Sequence, residues 1–183
     1  MRKIVNSTFV SLDGVIENME AWHFDFVDKD MDRITGEQLD AADILLMGRI
    51  TYEVYNSAWP HREGSYPDRI NAIRKYVAST TLDTAEWNNT AVISGDLVEE
   101  VRRLKAEEGD GDILMHGFGP VARALLAAGL LDELFLWVHP QFAGVGTVQQ
   151  MLFSEGNNAR LELLDARPLA SGVVTLSYRP IVS

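Results

Sequence analysis

The stretch Asp112-Ile-Leu-Met-His-Gly-Phe-Gly-Pro-Val-Ala-Arg-Ala-Leu-Leu-Ala-Ala-Gly-Leu-Leu131 decides the fold class of this chain. Its first residues form a short apolar run of the kind a buried strand shows. Gly117 and Gly119 then make a turn, and Pro120 fits the first turn of a helix, where a missing N–H donor does no harm. Gly129 can end that helix in a left-handed conformation. A strand, a glycine turn and a helix in this order bare backbone N–H groups at the helix N-terminus, where a phosphate can sit. A plain strand-to-helix turn, with glycines for close packing, produces the same pattern, and the stretch alone leaves both readings open.

Gly117-Phe-Gly119-Pro-Val-Ala122 also matches G-x-G-x-x-A, the dinucleotide fingerprint. That fingerprint requires an acidic residue at the end of the following strand to hold a ribose hydroxyl. The following strand, Glu133-Leu-Phe-Leu-Trp-Val138, ends in His139-Pro140 instead, and Asp132 and Glu133 precede it. The element also comes late in the chain. These departures argue against a Rossmann domain.

Outward from this stretch the chain alternates strands and helices. Residues 2–11 are β-branched and apolar and stop at the turn Asp13-Gly14. A helix is expected over 31–39, a buried strand at Ala42-Asp-Ile-Leu-Leu-Met47, a helix from Thr51, a loop over 59–67, and short strands at 75–79 and 91–94. Asp96 is placed to cap a helix, with Glu99 three residues on in a capping-box arrangement. Leu97, Val101 and Leu104 give that helix one apolar face, and Glu99 and Arg103 suit an i,i+4 pair. Two last strands, 161–169 and 172–179, flank Ala-Ser-Gly as a hairpin. The sum is an α/β fold with a central, mostly parallel mixed sheet, helices on both faces and an antiparallel C-terminal hairpin.

The 183 residues suit a single domain over 1–183. With 46% hydrophobic and 23% charged residues the composition is that of a soluble globular protein. No apolar run approaches a membrane span, and the first residues lack the apolar segment of a signal peptide. The chain has no cysteine, which excludes disulfides and thiol chemistry and is compatible with a cytoplasmic location. A net charge of −11 repels nucleic acid and anionic membranes, so neither is an expected partner. Any phosphate site must be locally basic against that field. The four histidines, His23, His61, His116 and His139, show no metal-ligand spacing, and no metal is expected.

Two more strand ends carry groups suited to a phosphate. In Met47-Gly48-Arg49-Ile-Thr51, Arg49 can grip a phosphate bidentately and Thr51 adds a hydroxyl. The bland alternative is a surface ion pair for Arg49 and a capping role for Thr51. The run Val77-Ala-Ser79-Thr80-Thr81 places hydroxyls at a strand's carboxyl end, where open α/β sheets bind ligands. Three such ends meeting at one sheet edge suit a dinucleotide with an additional phosphate.

The order Leu12-Asp13-Gly14, Met47-Gly48-Arg49-x-Thr51-Tyr52-Glu53, Val-x-Ser-Thr and Ile113-x-Met-x-Gly117-x-Gly119 resembles that of dihydrofolate reductase-like proteins. The chain is most similar to the branch related to the reductase domain of bacterial bifunctional riboflavin biosynthesis. The features of that branch are Gly129-Leu-Leu-Asp132-Glu133-Leu134, His139-Pro140, Gly144-Val-Gly146 and Leu152-Phe153, and the resemblance covers about 3–178. It implies a homodimer and NADPH as cofactor. Gly48, Arg49 and Thr51 would line the phosphate side, with Arg49 near the 2′-phosphate. Ser79 and Thr80 would lie beside the adenosine, and Gly117, Phe118, Gly119, Pro120 and Val121 would hold the pyrophosphate. Asp13 would be a turn former in a loop over the nicotinamide.

The family often has Gly-Ser or Gly-Gly where this chain has His116-Gly117-Phe118, so the phenylalanine is expected to narrow or reshape the site. Folate reductases also carry a carboxylate shortly after a tryptophan on the first helix. Here Trp22-His-Phe-Asp25-Phe-Val-Asp28 offers Asp25 and Asp28, although the spacing and the Pro-Trp context differ. Either would need burial to raise its pKa; a solvated helix face is the alternative. Trp59, His61 and Arg62 are a further expectation for a substrate pocket. The zinc-deaminase pattern of the bifunctional enzyme, H-x-E…P-C-x-x-C, is absent. The expected function is NADPH-dependent reduction of a small pterin- or pyrimidine-like heterocycle, or non-catalytic binding of a nucleotide or ligand on the same fold.

Overall fold

A computed structural model of the chain describes residues 1–144, 147, 150–152 and 158–181. Gly146 and Phe153, two of the residues carrying the resemblance, lie outside the described residues. Among the described residues eight strands form one sheet in the order β4-β3-β2-β5-β1-β6-β8-β7. In chain order these are β1 (Ile4–Ser11), β2 (Ala42–Gly48), β3 (Arg74–Ala78), β4 (Thr90–Ile93), β5 (Asp112–His116), β6 (Glu133–His139), β7 (Arg160–Pro168) and β8 (Val174–Ile181). The first six pair in parallel, whereas β8 runs antiparallel to both β6 and β7. The parallel centre and antiparallel hairpin agree with the sequence reading.

Among the described residues five α-helices cover the sheet: α1 (Lys29–Asp40), α2 (Arg49–Ala58), α3 (Ser65–Ala72), α4 (Leu97–Ala106) and α5 (Pro120–Ala127). Alternation along β2 sorts them by face. Leu45 and Met47 pack with Leu39 of α1, Tyr52 of α2 and Ile70 of α3. Ile44 and Leu46 pack with Val101 and Leu104 of α4 and with Ala122 and Leu125 of α5. A strand buried on both faces reads as an unbroken apolar run, which is why 42–47 shows no alternation. A third cluster, Met31, Trp137 and Val173, fixes α1 against β6.

Local chemistry explains most boundaries. Asp28 caps α1, accepting from Met31 N at 2.9 Å, and Asp96 caps α4, accepting from Val98 N and Glu99 N. Gly129, with φ of +66°, follows α5 in the left-handed conformation.

Two expectations need correction. Residues 59–67 are not simply loop: a 3₁₀ turn spans Trp59–His61, and α3 begins at Ser65 with Pro67 inside its first turn. Proline is tolerated there because its missing N–H belongs to an otherwise unpaired position. On α4 the pairs are Arg102 with Glu99 and Arg103 with Glu100 and Glu107, not Glu99 with Arg103.

Lys75, fully buried, explains the end of α3: its Nζ donates to the carbonyls of Ile70, Asn71 and Ile73 and lies over the Trp87 ring. A cation at a helix C-terminus complements its exposed carbonyls. Burial pushes this lysine down to about 8. No described helix is long and apolar enough to cross a membrane.

Candidate functional site

The carboxyl ends of β3, β2 and β5 form a shelf. Ala78 pairs with Gly48, and Leu46 pairs with Met115, so Gly48 is level with Gly117 just past β5. β1 rises above this shelf: Ser7 pairs with His116, yet β1 continues to Ser11 beside His139 of β6. Four further residues make a wall about 13 Å high.

The connections leaving the shelf diverge. From β2 the chain enters α2 and α3 on one face and returns as β3; from β5 it enters α5 on the other face and returns as β6 on the far side of β1. Adjacent strands whose connections part in this way open a crevice at their carboxyl ends, the usual ligand position in open α/β sheets.

The two helices that start in this crevice differ from their neighbours. α2 and α5 are preceded by Gly48 and Gly119, have no side-chain cap and carry no acidic residue in the first turn. The other helices have acids there: Asp30 and Asp32 in α1, Asp68 in α3, Glu99 and Glu100 in α4. Among 27 acidic residues in the chain, none stands on the first turn of either crevice helix. Their unpaired N–H groups and positive dipole ends suit an anion.

The glycines sharpen this point. Gly117 has φ of +77°, a conformation that favours glycine. Gly119 has φ of −85°, open to any residue, and a Cβ there would meet nothing within 4 Å. Neither backbone strain nor packing demands glycine at 119; as the N-cap of α5 it leaves the first-turn N–H groups uncovered by a side chain. A Cβ on Gly48 would approach Val121 Cγ2 at 3.4 Å, which brings the two turns together across the crevice. Asn6, buried on β1, donates from Nδ2 to the Gly117 carbonyl at 2.8 Å, and Gly117 N donates to Ser7 O. The glycine turn is thus fixed to the central strand.

The other expected site residues fall as follows. Arg49 is exposed at the crevice mouth, its Nη1 2.7 Å from Glu53 Oε1. Thr51 lies on the first turn of α2 but does not cap it, since Gly48 holds that position. Ser79 follows β3, and its hydroxyl accepts from Thr81 N and Leu82 N, while Thr80 is exposed beside it. Pro120 and Val121 open α5. Phe118 is only 3% exposed and belongs to the core beneath α5, so its side chain does not narrow the site. The turn throws that side chain inward between two glycines.

Asp28 is committed elsewhere: it caps α1 and also accepts from Ser171 N at 3.0 Å. The Met31 and Ser171 contacts hold its carboxyl below the usual range, the reverse of what a proton donor needs. Asp25 is exposed on a 3₁₀ turn, Phe24–Phe26. Asp13 does form a loop anchor: it accepts from Ser11 Oγ, Gly144 N and Ala143 N, which bring it down to about 2.

Trp59 packs edge-on against Tyr55 at 6.0 Å between ring centroids, and Arg62 lies over the Trp59 ring. α2 starts at the shelf and runs about 15 Å towards the opposite sheet edge before reaching Trp59. There Pro60 and His61 line a separate hollow of about 570 Å³ with Asn56, Asn71, Glu86, Trp87 and Asn88. No group of three His, Asp or Glu side chains suited to a metal occurs among the described residues.

Sequence reasoning gave little weight to two histidine contacts. His116 Nδ1 lies 2.8 Å from the Tyr55 hydroxyl at the shelf, and burial pushes this imidazole down to about 4. On the wall, His23 Nδ1 lies 3.0 Å from His139 Nε2, with both residues buried. The Trp22-His23 and His139-Pro140 pairs are 116 positions apart, and no local pattern joins them.

The sheet order, the switch-point crevice and the hairpin define a dihydrofolate reductase-like α/β protein. Residues 2–175 match the RibD C-terminal domain, and the chain belongs to that family, a family of reductases. A curated relative, the YyaP protein of Bacillus subtilis, is 28% identical over 182 residues, which is 97% of this chain and 94% of YyaP. A structure assigned to riboflavin biosynthesis in Shewanella sp. PV-4 superposes with a TM-score of 0.73 at 19% identity, covering 98% of this chain and 99% of that one. Dihydrofolate reductase from Enterococcus faecalis, solved with NADP(H), superposes with a TM-score of 0.65 at 18% identity, over 97% and 96% of the two chains. The structural likenesses establish the fold.

Proposed function

We propose that this protein is an NADPH-dependent reductase that passes a hydride to a small pterin- or pyrimidine-like heterocycle. The observation that carries the reading is Gly119: glycine where neither backbone conformation nor packing requires it, at the open N-terminus of α5. In this reading the pyrophosphate lies against residues 117–121. Gly48 and Thr51 face it from α2, and Ser79 and Thr80 flank the adenosine. Arg49 exchanges Glu53 for the 2′-phosphate, a dianion that an exposed guanidinium binds bidentately. The bound nicotinamide supplies the hydride chemistry; the protein supplies orientation and electrostatics. Membership of a reductase family and the NADP(H)-bound neighbour support the choice of cofactor.

Titration of nicotinamide fluorescence tests the cofactor, with saturable NADPH binding expected. Wild-type protein that binds neither NADPH nor NADH at about 1 mM contradicts the proposal. One observation favours a second reading, a nucleotide- or ligand-binding protein without catalysis: Asp25 is exposed, and Asp28 is committed to capping α1 with its pKa lowered. Stopped-assay screening of dihydropterin, dihydrofolate and aminopyrimidine acceptors separates the two. NADPH consumption with any of them supports the reductase, and silence across the panel with intact NADPH binding supports the binder.

A further inference from the structure

Arg123 is the single cation of α5, and it stands without a carboxylate. Arginines of this acidic chain pair with acids as a rule, the buried Arg2 with Asp43 included. Among the described residues Arg123 has no such pair, although it is half-buried. Arg62 and Arg160, the others without one, are exposed to water. A guanidinium carries five N–H donors. Here Nη2 donates to the Met151 carbonyl at 2.9 Å, and Nε is buried with no hydrogen-bond partner. A charge withdrawn from water and left with one neutral acceptor is costly, and it implies a partner still to come.

The direction of the side chain follows from what it touches. Arg123 N donates to Gly119 O at 3.1 Å, so the residue stands one turn inside α5, and helical side chains lean towards the N-terminus. Met151 pairs with Val15, Leu152 N donates to Gly14 O, and Ile16 N donates to Gln150 O. Segments 14–16 and 150–152 thus form a strap just past the carboxyl end of β1, the sheet end at which α5 also begins. Ile16 and Leu152 join the core that packs against α5. The guanidinium therefore lies between the strap and the opening of α5. The other buried atoms without partners, Arg2 Nε, Gln38 Oε1 and Ser171 Oγ, stand on neither crevice helix.

We propose that Arg123 is the missing cation of the anion site: its unspent N–H donors take an oxygen of a diphosphate lying on the turn at 117–121, while Nη2 keeps the Met151 carbonyl. This rests on the reading that the turn receives a phosphate, and adds the residue that neutralises it. Bare backbone N–H groups supply partial charges; a chain of net charge −11 needs a full one beside them. Because one guanidinium serves both the anion and the strap, binding at the turn also holds 14–16 and 150–152 in place. Arg49 at the other wall reads an additional phosphate, whereas Arg123 serves a diphosphate whatever nucleoside carries it.

The test uses the whole protein with inorganic diphosphate and with NADPH. In proton–nitrogen spectra diphosphate should shift the Arg123 Nε–H resonance saturably. It should also slow hydrogen exchange at the Leu152 amide. Arg123→Gln should weaken diphosphate and NADPH by about tenfold, the loss of one charge-assisted contact. Arg102→Gln removes the same charge from the exposed side of α4, where it pairs with Glu99, and should change neither affinity. No saturable shift at Arg123, no slowing at Leu152, an unaltered diphosphate affinity in a folded Arg123→Gln protein, or an equal loss in the two variants overturns the inference. If Arg123→Gln does not fold, the wild-type resonance and exchange decide alone. NADPH bound with wild-type affinity by a folded Arg123→Gln protein keeps the cofactor reading and ends this one. Diphosphate bound through Arg123 without any binding of NADPH does the reverse.

Discussion

Two neutral imidazoles set how this protein meets acid. Burial holds His23 and His116 at about 4, against an unfolded value near 6.5. Between those values the unfolded chain binds more protons than the folded one, so stability falls as pH falls through this window. Above about 6.5 the folded state is not penalised; below about 4 the loss is complete. Asp13 and Asp28 are shifted the other way for their type: their folded pKa values are depressed, so their contribution is present above the unfolded carboxylate range and lost below it. Urea denaturation should therefore show a first decline in stability from pH 6.5 to 4 and a second one below it. A flat profile down to pH 4 would show that the two rings are charged in the folded state. At Asp28, substitution by alanine removes the cap of α1 and should cost about 1 kcal/mol, measured by the same denaturation at pH 7.

At the scale of elements, the glycine turn separates a structural glycine from a functional one. Gly117→Ala puts a Cβ on a residue at φ +77° and should destabilise the fold by about 1 kcal/mol. Gly119→Ala meets no such strain and no neighbour, so its thermal midpoint should match the wild type while NADPH affinity falls. Equal NADPH affinity in Gly119→Ala would remove the central support for a pyrophosphate at this turn. The strand–turn–helix units were legible because each carries its own punctuation: Asp96 as a cap, Gly129 as a stop, unbroken apolar runs for strands buried on both faces. α3 escaped the reading because Gly64, Pro67 and a polar stretch look like loop. Its stability comes from Ile70 in the core and from Lys75, which follows the helix and reaches back to its carbonyls. The inward side chain of Phe118 is hidden from the sequence for a related reason: sequence gives the size of a side chain but not the side of the turn on which it falls. The histidine pair depends on the 3₁₀ segment after β1 folding back onto the end of β6, a long-range contact that spacing does not encode.

At the scale of the molecule, Gly48, Arg49, Thr51, Ser79, Thr80 and the turn at 117–121 stand at the carboxyl ends of β2, β3 and β5, with the Phe118 side chain turned into the core and a step up to β1 and β6 beside them. The acidic surface leaves the two crevice helices as the places where an anion meets bare N–H groups. The outer strand β7 carries exposed Leu163 and Leu164, and Ile181 stands beside it on β8. A homodimer is expected in solution by light scattering, and a monomer at all concentrations would contradict that expectation. Membership of the family accounts for the reductase class; the choice between NADPH and NADH rests on Arg49 alone among the site residues, because it is the cation at the crevice mouth. The most direct test is to titrate wild type, Arg49→Ala and Gly119→Ala with NADPH and with NADH. Saturable NADPH binding is predicted, weakened in Arg49→Ala by about tenfold more than NADH and weakened in Gly119→Ala for both nucleotides. Wild-type protein that binds neither nucleotide, or an Arg49→Ala variant that loses both equally, would contradict the account.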